Sequence, residues 1–122
     1  MTFVRSFTQI ERELMHRYRR QINHAESEED IKKFFAQTMQ HLLDEVMQHT
    51  TRIEENDAVL KPGAAPYFTI NARLRKNESF KEIRKHSDLD AVLKRFAAPA
   101  AKRYRHLRGH PEKTESKIRH FS

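Results

Sequence analysis

Cysteine is absent from this 122-residue chain. Disulfides, iron–sulfur clusters, thiolate zinc sites and a thiol nucleophile are therefore excluded. Glycine occurs only twice, too few for Gly-x-Gly-x-x-Gly or Walker-type phosphate loops, whose tight turns need several. Tryptophan is missing, so aromatic packing falls mainly to eight phenylalanines and three tyrosines. Long apolar runs are missing as well. The longest stretch free of polar side chains, 96–101, is far short of the roughly 20 residues that span a bilayer. Met1-Thr2-Phe3-Val4-Arg5 is too short an apolar start for a signal peptide, and charge returns at Glu11 and Arg12. These absences predict a soluble, cytoplasmic chain with no membrane partner, no targeting segment and no cofactor.

What is present is charge. Charged residues make up 34% of the chain and apolar ones 37%, with a formal net charge of +7. The two halves differ. Residues 1–60 hold 8 Lys/Arg against 11 Asp/Glu, and residues 61–122 hold 16 against 6. Such asymmetry points to an anionic partner, or to attraction between the halves.

Periodicity predicts helices. Phe7, Ile10, Leu14, Tyr18 and Ile22 recur at steps of three and four, one face of a helix over about 7–23. Thr8 and Glu11 have capping-box spacing at its start. Ser27 followed by Glu28, Glu29 and Asp30 marks a second start, with acids complementing the helix dipole. Ile31, Phe34, Phe35, Met39, Leu42, Leu43, Val46, Met47 and Ile53 then predict a helix over 28–55. The short connection makes the two an antiparallel hairpin. Lys61-Pro62-Gly63-Ala64-Ala65-Pro66 reads as a linker, followed by a short helix over 69–76 that contains Leu74. Ser79 and Glu82 open another over 80–86.

Ser87 and Asp90 repeat the capping pattern before Leu89, Val92, Leu93, Phe96, Ala100, Tyr104 and Leu107. At 100° per residue these occupy roughly a third of the circumference, and the arc persists across Pro99. A kinked amphipathic helix over 88–108 is predicted, closed by Gly109. The fold class is all-α: a helical hairpin plus this C-terminal helix, a three- to four-helix bundle within one domain, 1–109. Residues 110–122 read as a basic, mobile tail.

The basic residues of the second half are the functional candidates. Lys94, Arg95, Lys102 and Arg105 lie opposite the apolar arc, with Arg108 at its margin and Arg73 and Arg75 upstream. Several cations along one element can displace counterions from a phosphate lattice, and arginine adds forked donors. The alternative is a solvated face, or one that pairs with acids of the second helix. Tyr67 and Phe68 read as a plug over that helix, or as stacking platforms beside Arg73 and Arg75.

His41, Glu45 and His49 at i, i+4 and i+8 suggest a bundle metal site. Their partner set is incomplete, because Glu13-x-x-His16 places His16 toward water; no metal is assigned, and His49 reads as a core histidine. Catalytic signatures are lacking: there is no Gly-x-Ser-x-Gly and no His-Glu-x-x-His. Asp44, Glu54, Glu55 and Asp57 read as a polar face. The chain is thus expected to be a non-enzymatic binding or regulatory protein whose C-terminal half engages nucleic acid or another polyanion. The alternative is a homodimeric helical interaction module, motivated by an apolar stripe on the second helix wider than one neighbour covers.

Overall fold

A computed structural model describes residues 5–109; the predicted tail at 110–122, with Lys113, Lys117 and Arg119, and the lead-in residue Phe3 lie outside them. Five helices and one two-stranded sheet follow in the order α1 (Thr8–His24), α2 (Glu28–Val46), β1 (Ala58–Leu60), β2 (Phe68–Ile70), α3 (Ala72–Arg75), α4 (Glu78–Lys85) and α5 (Leu89–Gly109). The fold is therefore mostly helical, with a small sheet that the periodicity did not disclose. No helix among the described residues is long and apolar enough to cross a membrane.

Helix α2 is the centre of the molecule, touching α1, α5 and β1. Ile31, Phe35, Met39, Leu42 and Leu43 are fully enclosed, and Ser27 caps the helix by accepting from the Asp30 N–H at 3.1 Å. Most of the broad apolar stripe of α2 is covered from within the chain, while Phe34 is partly buried. Around it, Tyr18 and Ile22 of α1 and Leu93, Phe96 and Ala100 of α5 complete one continuous core.

The predicted helix over 28–55 ends nine residues early, at Val46. Gln48 and His49 turn into the left-handed region, with φ of 54° and 60°, and the His49 N–H closes back on the Asp44 carbonyl at 3.0 Å. The β-branched pair Thr50-Thr51 resists further helix, and the Thr50 hydroxyl takes the Met47 carbonyl instead. Ile53 is nevertheless buried, and its carbonyl accepts from Gln40 Nε2 at 3.0 Å.

The supposed linker at 61–66 joins the two strands of a β-hairpin. Its register pairs Ala58 with Ile70, Val59 with Thr69 and Leu60 with Phe68. Alternating burial explains the correction to the helix expected over 69–76: Phe68 and Ile70 face the core while Thr69 faces water. That is period 2, the signature of a half-buried strand. Only Ala72–Arg75 is helical, capped by Asn71. Helix α4 starts at Asn77, whose side chain accepts from the Phe80 N–H, rather than at Ser79.

Helix α5 runs unbroken through Pro99. Its lead-in is held by Ser87 Oγ, which accepts from the Leu89 N–H at 3.1 Å, while Asp90 receives Arg84 Nε at 2.9 Å. Asp88 accepts from the Phe7 N–H at 2.8 Å, tying the entry to α1 onto the same corner. Phe7 is thus the N-cap of α1 without a side-chain cap bond, and the Thr8–Glu11 capping box does not form.

Candidate functional site

The predicted cations divide by what faces them. Arg95 is matched: its Nε and Nη2 donate to the two carboxylate oxygens of Glu11 at 2.5 and 2.8 Å. This fork is why Glu11 abandons the capping box. It is buried on α1 while Arg95 is half in water, and the bond to the carboxylate holds the guanidinium pKa above its ordinary value. Arg73 is matched too. Its Nη2 donates to Asp57, a fully enclosed carboxylate, and to the Arg52 carbonyl at 3.0 Å. Asp57 also accepts from the Glu54 N–H at 2.6 Å, so Arg73 clasps the turn before β1 to α3. These two arginines, named among the polyanion-binding candidates, are braces within the molecule, each facing a carboxylate that lies outside the second helix.

Arg105 has no carboxylate among the described residues but is engaged. Its Nη1 donates to the Pro62 carbonyl at 3.2 Å, and its guanidinium lies 5.0 Å from the ring centre of Tyr67. Tyr67 and Phe68 divide accordingly: Phe68 is a core residue, and Tyr67 is a half-buried ring under a cation. Lys94, Lys102, Arg108 and Arg75 are exposed and form no ion pair among the described residues. Among the described residues, five of the seven predicted cations therefore face no carboxylate, and four of these, all but Arg105, have no other polar or ring partner.

Lys102 belongs to a concavity. Between the last turns of α1 and the second half of α5 lies a groove of about 460 Å³. Its α1 wall carries Arg19, Ile22 and Asn23, and its α5 wall carries Pro99, Lys102, Arg103 and His106. No acid lines it. Arg103 is half-buried, and its Nη2 donates to the carbonyl of Ala25 at 2.9 Å, the residue that caps α1. Its Nε is enclosed and has no hydrogen-bond partner among the described residues. Sequence reasoning passed over both arginines. Arg19 belongs to the net-acidic half, and Arg103 falls inside the apolar arc of α5. A cation on an apolar arc was the available signal.

The histidine set does not assemble. His41 and Glu45 remain on α2, but His49 lies beyond its end and is mostly exposed, not in the core. Its Nδ1 meets Asp44 at 2.6 Å and its Nε2 lies 3.7 Å from Glu45. Among the described residues no three His, Asp or Glu side chains converge as metal ligands. Glu54 and Glu55 flank a separate groove beside β1 with Lys32 and Lys33.

Comparisons with protein-family models, curated proteins and solved structures return no match. The functional reading rests on these residues alone.

Proposed function

We propose that the protein is a non-enzymatic binding protein that engages nucleic acid through exposed cations of α5 and its neighbours. The observation that supports this reading is that Lys94, Lys102, Arg108 and Arg75 stand in water without a carboxylate among the described residues. The chain supplies acids elsewhere: Glu11 and Asp57 are spent on Arg95 and Arg73. Unmatched cations spread along one helix can each replace a counterion on a phosphate backbone, which yields affinity without sequence readout. The antiparallel disposition of α1 and α2 and a bend at Pro99 belong to the same reading. The three-residue connection between the helices favours the first, and the missing proline N–H favours the second.

The test is fluorescence anisotropy with labelled oligonucleotides across a salt series. Binding is expected at about 50 mM salt, with log K falling linearly against log salt. Lys94→Gln combined with Arg108→Gln is expected to weaken binding about threefold to tenfold and to reduce the slope. Absence of binding to single-stranded and duplex oligonucleotides at that salt overturns the proposal.

A further inference from the structure

Lys94, Arg108 and Arg75 are exposed cations without a carboxylate among the described residues. The groove between α1 and α5 differs in three respects. It is concave, with room for about 460 Å³. Its walls bring Arg19 from one helix against Lys102 and Arg103 from another, with no acid between them among the described residues. And one of its cations is partly withdrawn from water without a counter-charge, since Arg103 spends Nη2 on a neutral carbonyl and leaves Nε enclosed and unpartnered. An enclosed donor without an acceptor has lost its hydration and gained nothing in return. A half-desolvated guanidinium is best compensated by an anion held close beside it.

The Ala25 carbonyl also fixes the guanidinium in place before any ligand arrives. The end of α1 contributes only about half a negative charge, which three full cations outweigh.

We propose that this groove seats one nucleotide of a single-stranded nucleic acid, the inference resting on the polyanion reading above and naming where the strand is gripped. Arg19 and Lys102 hold the phosphodiester from opposite walls, and Arg103 adds a fixed positive plane behind it. The apolar part of the lining supplies the reason for an unpaired strand. Ile22 and the Pro99 ring are apolar, and the volume exceeds what a phosphate group fills and lies in the range of small-ligand pockets. A sugar and base can enter beside the phosphate only where the base is free of a duplex. Pro99 contributes by shape and by lacking an N–H. The alanines at 97, 98, 100 and 101 keep this stretch of α5 slim.

The experiment compares two charge-matched double variants of the full chain, with folding of each verified by thermal melting. Arg19→Gln/Lys102→Gln removes both groove walls while leaving Arg103 on Ala25. Lys33→Gln/Lys85→Gln removes the same charge from exposed sites elsewhere. With a labelled single-stranded 12-mer, the groove variant is expected to lose about tenfold or more in affinity, and the control less than about threefold. The salt slope of the groove variant is expected to drop by about 1.4, two phosphate contacts at roughly 0.7 each. In nitrogen-15 spectra, the Arg103 Nε–H signal is expected to shift on adding the oligonucleotide and to stay in place with polyglutamate.

Equal losses in the two variants overturn the seat while leaving the polyanion reading intact. Failure of the wild-type chain to bind any oligonucleotide overturns both. Tighter binding of a duplex with the same groove dependence overturns the single-strand assignment. An equal response to polyglutamate assigns the groove to an acidic protein instead.

Discussion

Two arginines eight positions apart on α5, Arg95 and Arg103, meet α1 at opposite ends of their contact and find different company. At one end Glu11 offers a carboxylate, and Arg95 closes on it with two bonds. At the other, Arg103 finds a neutral carbonyl at Ala25, with Arg19 and Lys102 as its charged neighbours around the groove. One end of the α1–α5 contact is electrostatically complete, and the other is left short of negative charge. The completed end holds the helices together, and the deficient end is where an external anion gains most. Counting cations by half-chain cannot separate these roles. What separates them is the partner that the second helix supplies.

The largest expected effect comes from removing what both ends share. Phe96 is fully enclosed and meets the Tyr18 ring edge-on, with centroids 5.0 Å apart. Phe96→Ala is expected to cost about 3–5 kcal/mol, through lost burial and the cavity left behind. Urea denaturation measures it. If the cost stays below about 1 kcal/mol, the two ends are not joined through this pair.

The completed end can be converted into a second deficient one. Glu11→Gln leaves Arg95 unmatched beside α1, two helical turns from Lys102. The stability cost is expected to be about 1–2 kcal/mol, held down because Arg95 is half in water and the pair is partly screened. Affinity for a single-stranded oligonucleotide is expected to rise about threefold from the added net charge. Unchanged affinity in anisotropy would mean that charge at this end is invisible to the ligand, which confines the interface to the groove end.

Much of the helical frame was legible in the chain. The 3.6-residue stripes placed α1, the start of α2 at Ser27 and the whole of α5, including its passage through Pro99. Local signals failed where non-local partners decide. Met47 and Ile53 continue the apolar spacing toward position 55, yet left-handed Gln48 and His49 end α2, and the strand at 58–60 forms by pairing with β2. Phe68-Thr69-Ile70 alternates in burial, but three residues are too few for period 2 to stand out from a helical fragment. At the candidate site, Lys102 was legible as an exposed cation. The pairing of Arg95 and Arg73 was not, because Glu11 and Asp57 lie 84 and 16 positions away and belong to other elements. Arg19 became relevant only once α1 lay beside α5.

Tyr18 lies between the two ends and offers the smallest test, one whose sign depends on pH. Its hydroxyl is buried and donates to the Phe96 carbonyl at 2.7 Å, one turn before Pro99. Burial pushes its ionisation far above the ordinary value of 10. In the unfolded chain the group titrates near 10, so above that pH the unfolded state binds fewer protons than the native state. Native stability attributable to Tyr18 is therefore complete below pH 10 and declines as pH rises further, by up to about 1.4 kcal/mol per pH unit. Tyr18→Phe removes both the hydrogen bond and this slope. At pH 7 the variant is expected to be about 1 kcal/mol less stable. Between pH 10 and about pH 11.5 the gap should close and then reverse, because every other titrating group is common to both proteins and cancels in the difference. Urea denaturation at stepped pH reads this directly. Parallel stability curves across that range would show that water reaches the hydroxyl, and the middle of the α1–α5 contact would then be as accessible as its deficient end.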